Sequence, residues 1–252
     1  MKELLFIVGT HGNELAPLKL FYDHPYGQTD EVRWEVMVGN PGAVLENTRF
    51  VEDDLNRSFG KEDYGNLHEY TKYLVDRIHG RIAKKHYDIL YDVHTSNDIK
   101  PLSFPDCAFI NNVDDKTLQA VKNLTVEHII WDSNPEYNGQ YVTSAHPVGV
   151  TLEYQKTARF EYDVKKVLVN FENVVYQRIP QRKKYLYEAD KPITQLERDR
   201  YDLQLEDFKP LTSEQNILLQ LPPDEVYVPV FVNKKEIDPN YYCFLNKKLR
   251  EL

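Results

Sequence analysis

A chain of 252 residues, 41% apolar and 28% charged, can bury a substantial core and has the balance of a globular rather than a disordered protein. Its formal charge of -9 argues against a broad nucleic-acid footprint, which depends on phosphate neutralisation, yet allows an anionic small molecule in a local cationic pocket. No apolar run approaches the roughly 18 residues of a membrane span, Met1-Lys2-Glu3-Leu4 leads into a strand rather than a signal peptide, and Cys107 and Cys243 read as reduced packing residues, so a cytoplasmic setting is expected.

In chain order, Leu4 to Val8 reads as a strand and Leu15 to Tyr22 as a helix with Glu14 near its start. Trp34 to Val38 is the next strand, and His68 to Lys85 a long amphipathic helix with charge pairs four residues apart. Ile89 to Val93 and the short Phe109-Ile110 are strands, Thr117 to Leu124 a helix, Val148 to Tyr154 a strand and Asp163 to Gln177 a helix. This alternation predicts an α/β fold, a sheet layered by helices. After Ile179-Pro180 the chain changes to short Tyr- and Val-rich runs, Lys184 to Tyr187, Ile217 to Leu221 and Val226 to Val232. A catalytic domain over 1–178 and a smaller β-rich C-terminal domain over 179–252 are therefore expected.

The chemistry begins where the first strand ends. His11 and Glu14 offer an imidazole and a carboxylate three positions apart, half of a zinc site, since a catalytic zinc commonly takes two His and one Glu and keeps a fourth position open. His94, delivered by the Tyr87 to Val93 run, supplies the third ligand at the carboxyl edge of the sheet, where such folds place their chemistry. Between them, Arg49, Asn56 and Arg57 crowd into one segment suited to anion handling, although Asp53 and Asp54 could simply neutralise the arginines. Glu153 stands in a strand otherwise built from Val, Thr, Leu and Tyr; a carboxylate there needs a partner or a task, and it is the candidate general base. His146 flanks that strand as a candidate pocket residue, and the other histidines lack ligand-like partners.

Taken together, His11-Gly12-Asn13-Glu14, Asn40-Pro41, Thr48-Arg49, Asp54-Leu55-Asn56-Arg57, Asp92-Val93-His94-Thr95 and Pro147-Val148-Gly149 with Glu153 resemble, in the same order, the aspartoacylase and succinylglutamate desuccinylase family, relatives of zinc carboxypeptidases. Phe208-Lys209-Pro210-Leu211 and the Tyr227 to Asn233 segment are similar to the C-terminal β domain of aspartoacylase. The resemblance implies a zinc carboxypeptidase-like mixed sheet with one zinc per chain on His11, Glu14 and His94. It implies Arg49 polarising the scissile carbonyl, Asn56 and Arg57 binding a substrate carboxylate, Glu153 as base, and Tyr241 or Tyr242 closing on the substrate. Thr151 stands where aspartoacylases place their Glu, whereas Thr151-Leu152-Glu153 follows the desuccinylase pattern. The arginine that grips a second carboxylate in aspartoacylase has no counterpart between Tyr137 and His146. The expected function is zinc-dependent hydrolysis of the amide of a small N-acyl amino acid. The alternatives are a carboxypeptidase-like metallopeptidase and a metal-containing binding protein without turnover. The expected partner is that small molecule, neither nucleic acid nor membrane, and homo-oligomerisation is left open.

Overall fold

Strands β1 (Lys2–Val8) and β4 (Ile89–Thr95) form the apolar centre of the molecule: all of β4 and the last five residues of β1 are buried, as expected of parallel strands covered on both faces. The structure is a computed structural model and describes every residue except 61–63, 97, 98, 100–104, 134–138 and 233–240. Around the centre stand β2 (Tyr26–Gln28), β3 (Val32–Val38), β5 (Cys107–Ile110), β6 (His128–Trp131) and β7 (Gly149–Tyr154). The C-terminal part adds β8 (Tyr185–Thr194), β9 (Tyr227–Val230) and β10 (Tyr241–Glu251). They join in the order β2-β3-β1-β4-β7-β5-β6-β8-β10-β9, a mixed sheet of 10 strands. The central pairs β1·β3, β1·β4 and β4·β7 are parallel, and β5·β7 is antiparallel.

Period-two alternation divides these strands between two cores. Phe6, Val8, Tyr91, Val93, Leu152 and Tyr154 face one side, where α4 (Asp115–Lys122) and α5 (Phe160–Val175) cover them with Val121, Val167 and Phe171. Leu5, Ile7 and Leu90 face the other, under Leu74, Val75 and Ile78 of α3 (Glu69–Lys84). Each fully buried Leu or Ile contributes roughly 1.5–3 kcal/mol. The same alternation puts Asp92 and His94 on the α3 side of the sheet, two ionisable groups in a strand that is otherwise apolar up to its terminal Thr95. His68 caps α3, its ring nitrogen accepting from the Tyr70 N–H.

The first helix, α1 (Leu18–Asp23), starts later than its apolar pattern predicts, so His11 and Glu14 lie in a tight turn ahead of it. The Asn40-Pro41 turn opens a short helix, α2 (Pro41–Glu46), with proline in its first turn and the Asn40 side chain accepting from Ala43 N–H. The predicted strand at Ile217 to Leu221 is instead the end of α7 (Ser213–Leu218). There Thr212 and Gln215 make a capping box, a local signal stronger than the short apolar run. Another capping box, Thr194 with Glu197, starts α6 (Gln195–Arg200). The boundary drawn at 178 falls between α5 and β8; β8 pairs parallel with β6 and thereby continues the main sheet. The C-terminal elements also own an apolar cluster of Ile193, Leu203, Leu219, Tyr242 and Leu245. Among the described residues no helix is long and apolar enough to cross a membrane.

Candidate active site

The turn after β1 is made by two glycines. Gly9 has φ +61°, a conformation open to glycine at little cost, and it swings the chain out of the strand. Gly12 presses against α2 so closely that a Cβ would stand 2.0 Å from the Ala43 carbonyl carbon. Its N–H also donates to the Arg49 carbonyl at 3.3 Å, which ties the turn to the arginine-bearing segment. His11 and Glu14 are thus presented over the carboxyl ends of β1 and β4, where His94 emerges.

Glu14 joins the two imidazoles. Its Oε1 lies 2.8 Å from His11 Nδ1 and its Oε2 3.0 Å from His94 Nδ1, and the latter oxygen also accepts from Thr95 N–H. All three side chains are buried, and one ligand atom from each lies within 4.8 Å of the others. Each histidine turns its far nitrogen to another carboxylate. His94 Nε2 is 2.6 Å from Asp92 Oδ2, while the Thr10 hydroxyl donates to Asp92 Oδ1 at 2.7 Å. His11 Nε2 is 3.1 Å from Asp54 Oδ1, and Asp54 Oδ2 receives Arg49 at 3.3 Å. A carboxylate on Nε2 fixes that nitrogen as the N–H donor and leaves Nδ1 as the ligand, the usual outer support of a metal-bound histidine.

The electrostatics of the site follow from this geometry. Burial disfavours the charged form of His94, but Asp92 and Glu14 outweigh it and hold its pKa well above 6.5. Burial likewise opposes protonation of His11, and Glu14 and Asp54 prevail. Glu14, whose burial would raise it, is kept below the usual carboxylate range by the two imidazoles. Asp54 is also depressed, against its burial, by His11, Arg49 and Arg57. Three carboxylates around two imidazoles therefore favour added positive charge, of the kind that protons or a divalent cation would supply. Two imidazole nitrogens and one carboxylate, buried and convergent, fit a zinc ion.

Of the remaining predicted residues, Glu153 is brought beside the ligands by register: on β7 it pairs with His94 of β4 on one side and with Cys107 of β5 on the other. Thr151 is level with Asp92, one layer deeper, and its hydroxyl is 3.1 Å from that of Thr143. Glu153 is partly exposed where its strand neighbours are buried. Arg57 lies over the Tyr141 ring at 5.2 Å, with a guanidinium N–H donating to the Asn56 carbonyl. Asn56 is held by its Oδ1, which accepts from Val142 N–H at 3.0 Å.

The C-terminal tyrosines sit elsewhere in the sheet. Tyr242 belongs to the C-terminal apolar cluster beneath Arg198, and Tyr241 meets the ring of Phe244. Their strand is five places from β4 in the order of the sheet. His146 is a structural residue: its nitrogens meet the Val148 and Tyr87 carbonyls, at the opposite ends of β7 and β4 from the ligands. Both cysteines are buried thiols.

Sequence reasoning missed Asp92 and Asp54 as supports of the histidines. Asp92 carried the same signal as Glu153, a carboxylate in an apolar strand; Asp54 was read as an arginine's counter-ion and serves His11 as well. Asp92→Asn is expected to fold and to bind zinc about 10- to 100-fold more weakly, the usual effect of removing such a support. Competition with a chromophoric chelator measures it, and unchanged affinity would deny Asp92 that role.

A mixed α/β sheet with a buried His-Glu-His cluster at its carboxyl edge defines the class, a zinc carboxypeptidase-like fold. The chain belongs to the succinylglutamate desuccinylase/aspartoacylase family, whose catalytic-domain sequence model matches residues 1–177. A probable aspartoacylase of Prochlorococcus marinus (strain MIT 9215) is 27% identical over 175 residues, covering 66% of this chain and 58% of that protein, so the chain spans little more than half of this relative. Murine aminoacylase 3 superposes with a TM-score of 0.72 at 16% identity, covering 100% of this chain and 96% of the other. Succinylglutamate desuccinylase from Chromobacterium violaceum superposes with a TM-score of 0.71 at 18% identity, covering 99% and 85%.

Proposed function

We infer that this chain is a zinc-dependent amidohydrolase that cleaves the linear amide of a small N-acyl amino acid, releasing a carboxylate and a free amine. The observation that carries this reading is the buried His11-Glu14-His94 cluster with Glu153 in register beside His94. A zinc ion held by these three residues would supply Lewis acidity for the scissile carbonyl and lower the pKa of water at the site. Glu153 takes the proton of the attacking water as the C–O bond forms, and returns it to the nitrogen as the C–N bond breaks. Arg49, positioned by Asp54, donates to the carbonyl oxygen as negative charge develops there. Arg57 and Asn56 hold the substrate carboxylate. The Tyr141 ring supports the Arg57 guanidinium, and Val142 orients the Asn56 amide.

The direct test is amine release from acetyl, succinyl and longer acyl amino acids, with a dipeptide control and a chelated control. Turnover of the acyl amino acids that chelation abolishes supports the deacylase. Faster cleavage of the dipeptide would make it a peptidase, and binding without release in every arm would make it a binding protein.

The arginines should separate kinetically. Arg49→Ala is expected to lower kcat and kcat/KM together, because the charge it meets arises only during attack; Arg57→Ala is expected mainly to raise KM, because its carboxylate exists in the ground state. Replacing the substrate carboxylate by an amide should harm the wild type strongly and Arg57→Ala much less. Equal harm to both would remove Arg57 from that role.

A further inference from the structure

The site is unlike on its two sides. Toward β1 stands Arg49, held through Asp54 beside His11, while Arg57 lies over Tyr141 in the segment that leads into the Glu153 strand. Toward β5 the strand register sets Cys107 beside Glu153 and Phe109 beside Thr151, on the same face as His94. Phe109 is therefore about 7 Å further down that face from Glu153, two residues along the strand. Phe231, from the segment after β9, stacks on Phe109 with ring centroids 5.7 Å apart and planes within 11°; both rings are partly buried, one side packed on the cluster of Cys107, Ile130, Tyr187, Val228 and Val230.

Phe231 holds a backbone φ of 60°, a left-handed conformation that bulky residues rarely adopt. Bonds next to it keep it there: Val232 N–H donates to Asp207 Oδ1, and Phe208 N–H to the Pro229 carbonyl, each at 2.8 Å. Strain retained by its surroundings, at a residue stacked on the ring beside Thr151, points to a task for the side chain. Residues 137–146, which lead into the Glu153 strand, contain neither arginine nor lysine.

We propose that Phe109 and Phe231 form a specificity wall of this site, and that the substrate presents an apolar group to it in place of a second carboxylate. The proposal rests on the deacylase reading for the reaction and on the aromatic pair for the substrate class. The apolar group is either the amino-acid side chain or an extended acyl chain.

Two substrate series separate these sources: acetyl derivatives of glycine, leucine, phenylalanine and aspartate, and glycine carrying acyl chains of increasing length. The wild type is expected to favour the apolar members of one series over acetylaspartate by at least about tenfold in kcat/KM, the discrimination a hydrophobic pocket delivers. Phe109→Ala and Phe231→Gly should remove about 10- to 100-fold on those members and change acetylglycine less than about threefold. Phe231→Gly deletes the ring and also relieves the left-handed backbone, which offsets part of the packing it loses, so a retained cooperative melt separates lost specificity from lost folding. Calorimetric binding of acetylphenylalanine and of the longest acylglycine to Glu153→Gln gives a readout without turnover, and the Kd should rise when either ring is removed.

A preference for acetylaspartate, or equal losses on acetylglycine and the apolar substrates, would overturn the wall. If no acyl amino acid is hydrolysed while ring-dependent binding persists, the deacylase reading falls and the wall stands.

Discussion

Glu153→Gln should retain its zinc and bind substrate with wild-type affinity while turning over two to four orders of magnitude more slowly, the usual contribution of a positioned acid-base group. The amide keeps the shape of the carboxylate and cannot accept the proton. The size of the effect depends on placement: Glu153 is one strand from His94 at the same level of the sheet, close enough to meet water attacking a carbonyl held over the ligands. Metal analysis and calorimetry on the variant check the first half, and amine release the second. Near-normal turnover would remove Glu153 as the base, and the parallel variant Thr151→Val would then report on the layer below.

Glu14→Ala is expected to be the most damaging change of all, because this one carboxylate contacts both histidines and the Thr95 N–H. Zinc content should drop from about one per chain to near none and activity should vanish with it; a folded variant with stoichiometric zinc would show the site to be misplaced. The pH dependence follows from the raised histidines. Protons and metal compete for the same nitrogens, so zinc affinity should fall as pH falls through the raised values, beginning above 6.5 rather than below it. In metal-free protein the sign reverses. Folded-state pKa values above the unfolded ones contribute stability that is complete below about 6.5 and lost as pH rises through the raised values. Chelated protein should therefore melt lower at pH 9 than at pH 6, and zinc-loaded protein should not. Melting curves with and without chelator decide this, and parallel curves would show that the imidazoles are not the groups exchanging charge.

Much of the fold is readable along the chain because it is written locally. The apolar runs of β1, β4 and β7 and the periodic face of α3 are each recognisable without a partner. β10 and β6 are not, and neither is the three-residue β2. In β10, Lys247, Lys248 and Arg250 follow Leu245, and three register shifts against β8 let the strand bend between β8 and β9; its extended state is imposed by pairing. β6 is four residues long and starts with a histidine, too short a signal without its neighbours. The opposite error, strand for helix at Ile217 to Leu221, arose because a short apolar run has no period of its own and the capping box beside it decided the outcome.

The candidate site divides in the same way. Residue types that carry chemistry, an imidazole and carboxylate three apart, a second imidazole at a strand end, clustered arginines and an acid in an apolar strand, are properties of the chain and are legible in it. Which of two positions on β7 stands level with His94 is not, because it depends on the pairing of β4 with β7, and a shift of two residues would keep the face and exchange Thr151 for Glu153. Register sets Glu153 level with His94 and Thr151 level with buried Asp92. The pairing of Asp54 with His11 and the stacking of Phe231 on Phe109 join residues more than 40 positions apart, separations that composition and spacing do not encode, whereas Asp92 and His94 share a face by the period of their own strand. The sequence by itself determined the donors; the packed sheet decided which donors meet, because only folding brings separate strands to one level on one face.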